Sequence, residues 1–360
     1  VNYLLRKMQA QARKWTRKSL QYAVKPVMPR VVLPASALNA QLRALNPARW
    51  LASDEAAAPR AARRDPAPAS VGRGEQWLDA SFSHRGRTLA YKLYLPPQTD
   101  HAVALPMVVM LHGCTQDAED FAAGTQMNVQ ARALGAVVLY PQQSARDNPK
   151  KCWNWFSPQN QQRDRGEPAV LAALTLSIAA SQPVDMARIY VAGLSAGAAM
   201  ADILGSSYPE IFAAVGVHSG LPRGCATDVV SALTAMRIGC ATHGAPPAST
   251  PAPPTIVFHG DADHTVHVSN GIAVVDAALG ARGAADTEAR VEQGRSPQGQ
   301  PYSQTIYQDS NGDTAVEYWQ LQGAGHAWSG GKQGASYTDP AGVDASAQML
   351  RFFLEHPQKH

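Results

Sequence analysis

The sequence predicts an α/β fold with a mostly parallel central sheet and helices on both faces. Three observations carry this. Short apolar, β-branched runs recur at 106–111, 136–140, 188–192, 213–218 and 255–259, the composition of strands buried on both sides. Stretches of helical composition separate them, and strands that alternate with helices pair in parallel. The pentapeptide Gly193-Leu194-Ser195-Ala196-Gly197 sits between one such strand and an Ala- and Met-rich helical run.

In chain order, 77–83 and 88–95 are strand-like runs around His84-Arg85-Gly86-Arg87, a hairpin signal that gives the sheet an antiparallel start. The buried strand at 106–111 leads to a helix over 117–134. The next strand, 136–140, is expected to stop at Pro141. A polar loop over 142–165 surrounds Cys152-Trp153-Asn154-Trp155-Phe156. A helix over 167–181 is stopped by Pro183. After the strand and helix that flank Ser195 come a strand at 213–218, a short helix at 229–238 and a Pro/Ala/Ser-rich loop at 242–254. A strand at 255–259 and a helix at 268–279 follow. Runs at 305–308 and 315–321 flank Ser310-Asn311-Gly312-Asp313, a turn signal, and 343–356 closes the chain as a helix.

The 360 residues, 45% hydrophobic, suffice for one sizeable core, and the folded domain is expected over 76–360. Residues 1–52 form a basic, partly helical extension: Arg and Lys recur from Arg6 to Arg49 with no acidic residue. That segment suits contact with a granule or an anionic surface, or else a solvated extension. Residues 53–75 are an Ala/Pro/Arg-rich linker. The formal net charge of +4 does not point to nucleic acid, and no apolar run is long enough for a transmembrane helix. The chain starts on Val without the apolar stretch of a secretory leader. Cys114, Cys152, Cys225 and Cys240 allow two disulfides in three pairings, and no CxxC suggests zinc.

Gly-x-Ser-x-Gly between strand and helix is the pattern of a nucleophile elbow. The turn lifts the serine hydroxyl clear of the sheet, and the flanking glycines let strand and helix approach closely. With a general base and an orienting carboxylate following in the order Ser, Asp, His, the plan is that of an α/β-hydrolase. The loop after the strand at 255–259 offers Asp261 and Asp263. Asp263 is preferred because it lies deeper in the loop, and Asp261 suits a turn cap. Gly323-Ala324-Gly325-His326 follows the last strand, and its glycines free the loop to return an imidazole to Ser195. His218 and His259 end buried strands and read as core residues. His264 and His267 are weaker alternatives. The oxyanion donors are expected to be the amides of Ala196 and, after the third strand in His112-Gly113-Cys114-Thr115-Gln116, of Cys114. Trp153, Trp155 and Trp328 are expected to wall the substrate groove. No metal-ligand cluster or phosphate-binding glycine loop stands out, so no cofactor is expected.

Leu111-His112-Gly113-Cys114-Thr115-Gln116, Leu139-Tyr140-Pro141, Cys152-Trp153-Asn154-Trp155-Phe156, Gly193-Leu194-Ser195-Ala196-Gly197 and Gly325-His326-Ala327-Trp328 together resemble the poly(3-hydroxybutyrate) depolymerase family of esterases. Feruloyl and acetylxylan esterases of the same superfamily look similar. The resemblance covers roughly 76–355. It implies a serine esterase with Ser195, Asp263 and His326 as its triad, and it supports Asp263 because the family acid follows His-Gly by two residues. It also implies secretion in many members, which favours an extracellular or periplasmic location over a cytoplasmic one and fits pairings Cys114–Cys152 and Cys225–Cys240. The expected substrate is poly(3-hydroxybutyrate) or its oligomers. The alternatives are feruloyl or acetyl esters on plant polysaccharides, or a granule- or surface-binding role without turnover.

Overall fold

The computed structural model describes residues 74–98, 103–240, 252–282, 289–309 and 312–358. The extension expected at 1–52 lies outside them. So do the linker at 53–75 apart from its last two residues, and most of the loop at 242–254.

The order of elements follows the hydrophobic pattern. β1 (Gln76–His84) and β2 (Arg87–Leu95) form the opening hairpin. β3 (Leu105–Leu111), β4 (Val137–Gln142), β5 (Val184–Leu194), β6 (Ala214–His218) and β7 (Thr255–Gly260) are the buried strands. β8 (Ala289–Arg295), β9 (Pro301–Gln308) and β10 (Thr314–Leu321) complete one ten-stranded sheet, ordered β1-β2-β4-β3-β5-β6-β7-β10-β9-β8. From β4 through β10 every neighbour pair is parallel, and antiparallel strands close both edges. With structural neighbours of the same type, reported below, this is the α/β-hydrolase fold.

Helices α1 (Ala118–Thr125), α2 (Met127–Leu134), α3 (Gly166–Ser181), α4 (Ala196–Ser207), α5 (Val229–Ile238), α6 (Ser269–Ala281) and α7 (Ala345–Glu355) cover the sheet. Side chains alternate along each strand and feed two cores. Val109, Val191 and Val257 pack with α3, α4 and α6 on one face. Met110, Tyr190 and Phe258 pack with α1, α2 and α7 on the other.

Three of the departures from the sequence pattern have a clear physical reason. The helix expected over 117–134 breaks at Gln126, which takes a left-handed φ of 55° and caps α1 by donating its amide to Ala122. Pro141 does not end β4. Its missing N–H is tolerated because the strand's last residues pair only with the antiparallel β2. β8 has no apolar signature: it is an edge strand whose Arg290, Glu292 and Arg295 keep its free side in water.

α7 is fastened to the sheet by aromatic stacking and a charge. Phe353 stacks on Tyr190 with ring centroids 5.0 Å apart. Arg351 reaches the buried Glu317 of β10 at 2.5 Å. Glu317 also accepts from Trp319 Nε1 at 2.6 Å and Gln304 Nε2 at 2.9 Å, so its charge is compensated. Phe353→Ala is expected to lower unfolding free energy by about 3–5 kcal/mol, through lost burial and the cavity left behind, measured by urea denaturation.

Candidate active site

The candidate residues gather at the carboxyl ends of the parallel strands. β3 ends before His112, β5 before Ser195, β6 before Ser219, β7 before Asp261 and β10 before the loop to His326. The strand order reverses between β3 and β5, and this crevice is where open α/β sheets bind ligands.

Ser195 stands at φ 58° and ψ −119°, a conformation costing a side-chain-bearing residue roughly 1–3 kcal/mol. Its amide donates to His218 O at 2.9 Å, which continues the β5–β6 ladder past the turn. The two glycines are steric necessities. A Cβ at Gly193 would fall 2.4 Å from the carbonyl carbon of Gly197, and one at Gly197 would fall 2.1 Å from Leu111 O. Three backbone segments therefore nearly touch beneath the serine. α4 starts at Ala196, so the Ala196 amide lies in the first helical turn, where backbone N–H groups lack intrahelical partners.

Asp263 and His326 meet. Asp263 Oδ2 lies 2.7 Å from His326 Nδ1, and Oδ1 accepts from the amides of Thr265 and Val266, both at 2.8 Å. Burial pushes the Asp263 pKa up. The bond and charge of His326, with the two amides, outweigh it and hold the carboxyl below its ordinary value. With Nδ1 engaged, Nε2 is the nitrogen of His326 left for a serine hydroxyl. Among the described residues the Ser195 hydroxyl closes no hydrogen bond with His326 in this state.

Asp261 does something else. It is exposed, and its Oδ1 accepts from Gly323 N at 2.7 Å. It thereby ties the acid loop to the histidine loop. The amide of Ala262 donates to Ala324 O at 3.1 Å, and a Cβ at Gly260 would strike Ala324 O at 2.2 Å. The two loops are joined backbone to backbone, which aligns Asp263 with His326.

His112, His218 and His259 are buried and bound to backbone groups. Burial pushes His112 down to about 4 and His218 down to about 3, so both are neutral at pH 7. His112 Nε2 accepts from Gln143 N at 3.0 Å, so Nδ1 carries the proton that goes to Gly113 O at 2.8 Å. His218 Nε2 accepts from Ser329 N at 3.0 Å, which holds the stretch just after His326. His259 is buried, its pKa also lowered by burial, and its Nε2 bonds Val266 O at 2.8 Å. His264 is exposed, and His267 Nδ1 pairs with Ser269 Oγ at 2.8 Å.

The loop carrying Cys114 lies beside the elbow: a Cβ at Gly113 would stand 3.6 Å from Leu194 O. Gln116 Oε1 accepts from Gly113 N at 3.0 Å and shapes the loop, a role its position in the His112–Gln116 run marks only in retrospect. Disulfides join Cys114 to Cys152 and Cys225 to Cys240. Among the described residues no group of His, Cys, Asp and Glu is placed to hold a metal ion, and no helix is long and apolar enough to cross a membrane.

The three tryptophans expected at the groove are buried. Trp153 and Trp328 were expected to wall a groove, yet neither has any exposed surface. Trp153 packs on His112 with centroids 5.6 Å apart. Trp328 stacks on His218 at 5.0 Å and donates its Nε1 to Ser346 Oγ at 3.1 Å. Trp155 is 5% exposed and set edge-on to Phe156. Burying so much apolar ring area helps fix the loops around the site.

Gly197→Ala is expected to lower unfolding free energy by more than about 3 kcal/mol, because backbone must move to admit the methyl. Gly325→Ala, with open space around it, is expected to cost under about 1 kcal/mol. Urea denaturation of the two variants side by side checks the contrast.

Residues 89–297 match the family model described as Esterase PHB depolymerase. Poly(3-hydroxyalkanoate) depolymerase C of Paucimonas lemoignei is 32% identical over 231 residues, covering 61% of this chain and 54% of that protein. Probable acetylxylan esterase A of Aspergillus fumigatus is 28% identical over 204 residues, covering 52% of this chain and 53% of that protein. The chain thus spans about half the length of these relatives. Among solved structures, the acetyl xylan esterase from Aspergillus awamori superposes with a TM-score of 0.56 at 20% identity, over 74% of this chain and 94% of that one, a likeness of fold. With more than half of its residues matched by the family model, the chain belongs to the Esterase PHB depolymerase family.

Proposed function

We propose that this protein is a serine esterase that hydrolyses poly(3-hydroxybutyrate) or its oligomers, with residues 76–360 as the catalytic domain. The observation that carries the reading is the buried Asp263 carboxylate bonded to His326 Nδ1 at 2.7 Å, at the same sheet edge as a serine held at positive φ. The relatives named as depolymerases support the substrate class.

In this reading Ser195 Oγ attacks the ester carbonyl carbon while His326 Nε2 takes its proton. The negative charge that develops on the carbonyl oxygen is met by the amides of Ala196 and Cys114, each such donor worth on the order of 3 kcal/mol. Asp263 holds the Nδ1–H tautomer and stabilises the imidazolium. His326 returns the proton to the departing alcohol, leaving an acyl-serine. Water, activated by the same imidazole, attacks the acyl carbon. The carboxylic acid leaves and Ser195 regains its proton.

Two disulfides fit an oxidising compartment, which supports an extracellular or periplasmic location. The basic segment 1–52 is assigned contact with a polymer granule or surface, with 53–75 as its linker. A second reading, an acetyl or feruloyl esterase of plant polysaccharides, is favoured by the acetylxylan and feruloyl esterases among the relatives.

Wild type is expected to hydrolyse a short p-nitrophenyl ester and to clear a poly(3-hydroxybutyrate) suspension. Ser195→Ala should lower both rates by about 10⁴-fold or more. Turnover of acetylated xylan with an untouched polyester suspension would select the second reading. No Ser195-dependent turnover of any ester would reject both. Asp263→Asn is expected to lower kcat by about 10³–10⁴-fold, against little change for Asp261→Asn. Equal losses in the two variants, measured by steady-state kinetics, would reject Asp263 as the triad acid.

A further inference from the structure

An oxyanion donor works only if its N–H is already aimed at the place where charge will appear. The Cys114 amide lies in a loop, so something must hold that loop still. Three links tie 112–116 to the segment 143–152: Gln143 N to His112 Nε2 at 3.0 Å, Thr115 N to Lys150 O at 2.6 Å, and the Cys114–Cys152 disulfide. The segment from Gln143 to Trp155 contains no helix or strand of its own. One buried side chain, Glu167 in the first turn of α3, binds both Gln143 and Asn154 and so gathers the two ends of this segment.

Glu167 is buried, and its carboxylate accepts three hydrogen bonds. Oε1 takes Gln143 Nε2 and Asn154 Nδ2, both at 2.7 Å, and Oε2 takes the Asn154 amide at 2.8 Å. Gln143 Nε2 also donates to Cys152 O at 3.2 Å. The anchor itself is fixed: Glu167 N donates to Asn160 Oδ1 at 2.9 Å, and Asn160 Nδ2 donates to Asn154 O at 2.8 Å. The cation nearest the carboxylate, Arg87, stands 3.8 Å from Oε1. Burying a carboxylate costs desolvation, here offset by the three hydrogen bonds and the Arg87 ion pair, and an apolar side chain at 167 would leave those donors unpaired. The carboxylate has one property an amide lacks. It presents only acceptors, and all three groups facing it are donors.

We propose that Glu167 is a positioning residue for the oxyanion donor at Cys114, acting through Gln143, Asn154 and the disulfide. The inference rests on the serine-esterase reading. Glu167 touches no reacting atom. It fixes the 143–155 segment, that segment fixes the 112–116 loop, and the loop aims the amide. The sequence shows Glu167 only as the start of a helix, because its partners are brought to it by the fold.

The test is Glu167→Gln, assayed on p-nitrophenyl acetate beside wild type and Ser195→Ala, together with the affinity for phenylboronic acid. Boron accepts the serine oxygen and places a hydroxyl in the oxyanion position, so its affinity reads the donor geometry. Gln at 167 would turn an NH₂ group toward other donors. The expected result is a fall in kcat of about 10- to 100-fold with KM nearly unchanged, and a parallel loss of boronate affinity. Asn154→Asp added to Glu167→Gln exchanges amide and carboxylate across the bond, and is expected to restore much of the lost kcat. A folded Glu167→Gln with wild-type kcat and boronate affinity would overturn the proposal. So would a variant that loses thermal stability but not boronate affinity. If Glu167→Gln does not fold, Gln143→Met removes one donor while leaving the backbone bond to His112, and an unchanged kcat there would overturn the proposal equally. Wild-type turnover independent of Ser195 would sink the esterase reading itself. Ser195-dependent turnover with no Glu167 effect would sink only this inference.

Discussion

The site depends on a backbone contact that only glycine permits. Gly193 and Gly197 bring the end of β5, the start of α4 and the end of β3 so close that a single methyl group at Gly197 would lie 2.1 Å from Leu111 O. That compression forces Ser195 to positive φ and raises its side chain above the sheet. It also places the Leu111–Cys114 turn beside the first amides of α4. The candidate nucleophile and both candidate oxyanion donors are thus set by one steric arrangement. The strain it stores is offset by the largely buried parallel strands beneath it.

Charge is distributed with similar economy. His112, His218 and His259 lie at the same strand ends as the site, yet burial keeps their pKa values low and the Nε2 of each binds a backbone group. They act as neutral struts. His326 differs because its side chain is partly exposed and its Nδ1 faces a carboxylate whose ionised form is held by two amides. Two buried carboxylates have separate tasks in this account. Asp263 holds an imidazole, and Glu167 holds a loop.

Much of the fold was legible because buried parallel strands leave continuous apolar runs, and each of the five inner runs became a strand. β8 was not legible, since an edge strand needs neither apolar alternation nor a partner on its free side. The break at Gln126 was hidden because a left-handed non-glycine residue has no strong local signal. Within the site, the glycine patterns around Ser195 and His326 could be read directly, as steric needs are written in the residue type. The tryptophans could not be. Aromatic residues beside a functional motif can face a ligand or fill the wall behind it, and Trp153 and Trp328 fill the wall. Glu167 was invisible for a related reason: its meaning lies in partners 13 and 24 positions away, gathered only by folding.

In the proposed mechanism Ser195 is the activated nucleophile, His326 its base and Asp263 the carboxylate that orients His326. The most direct measurement is peptide mass mapping after reaction with a fluorophosphonate, which phosphonylates an activated serine and releases fluoride. One adduct per chain is expected, on the peptide containing Ser195, formed rapidly in wild type and very slowly in His326→Ala. A stoichiometric adduct on another residue, or labelling of Ser195 at the same rate without His326, would contradict it.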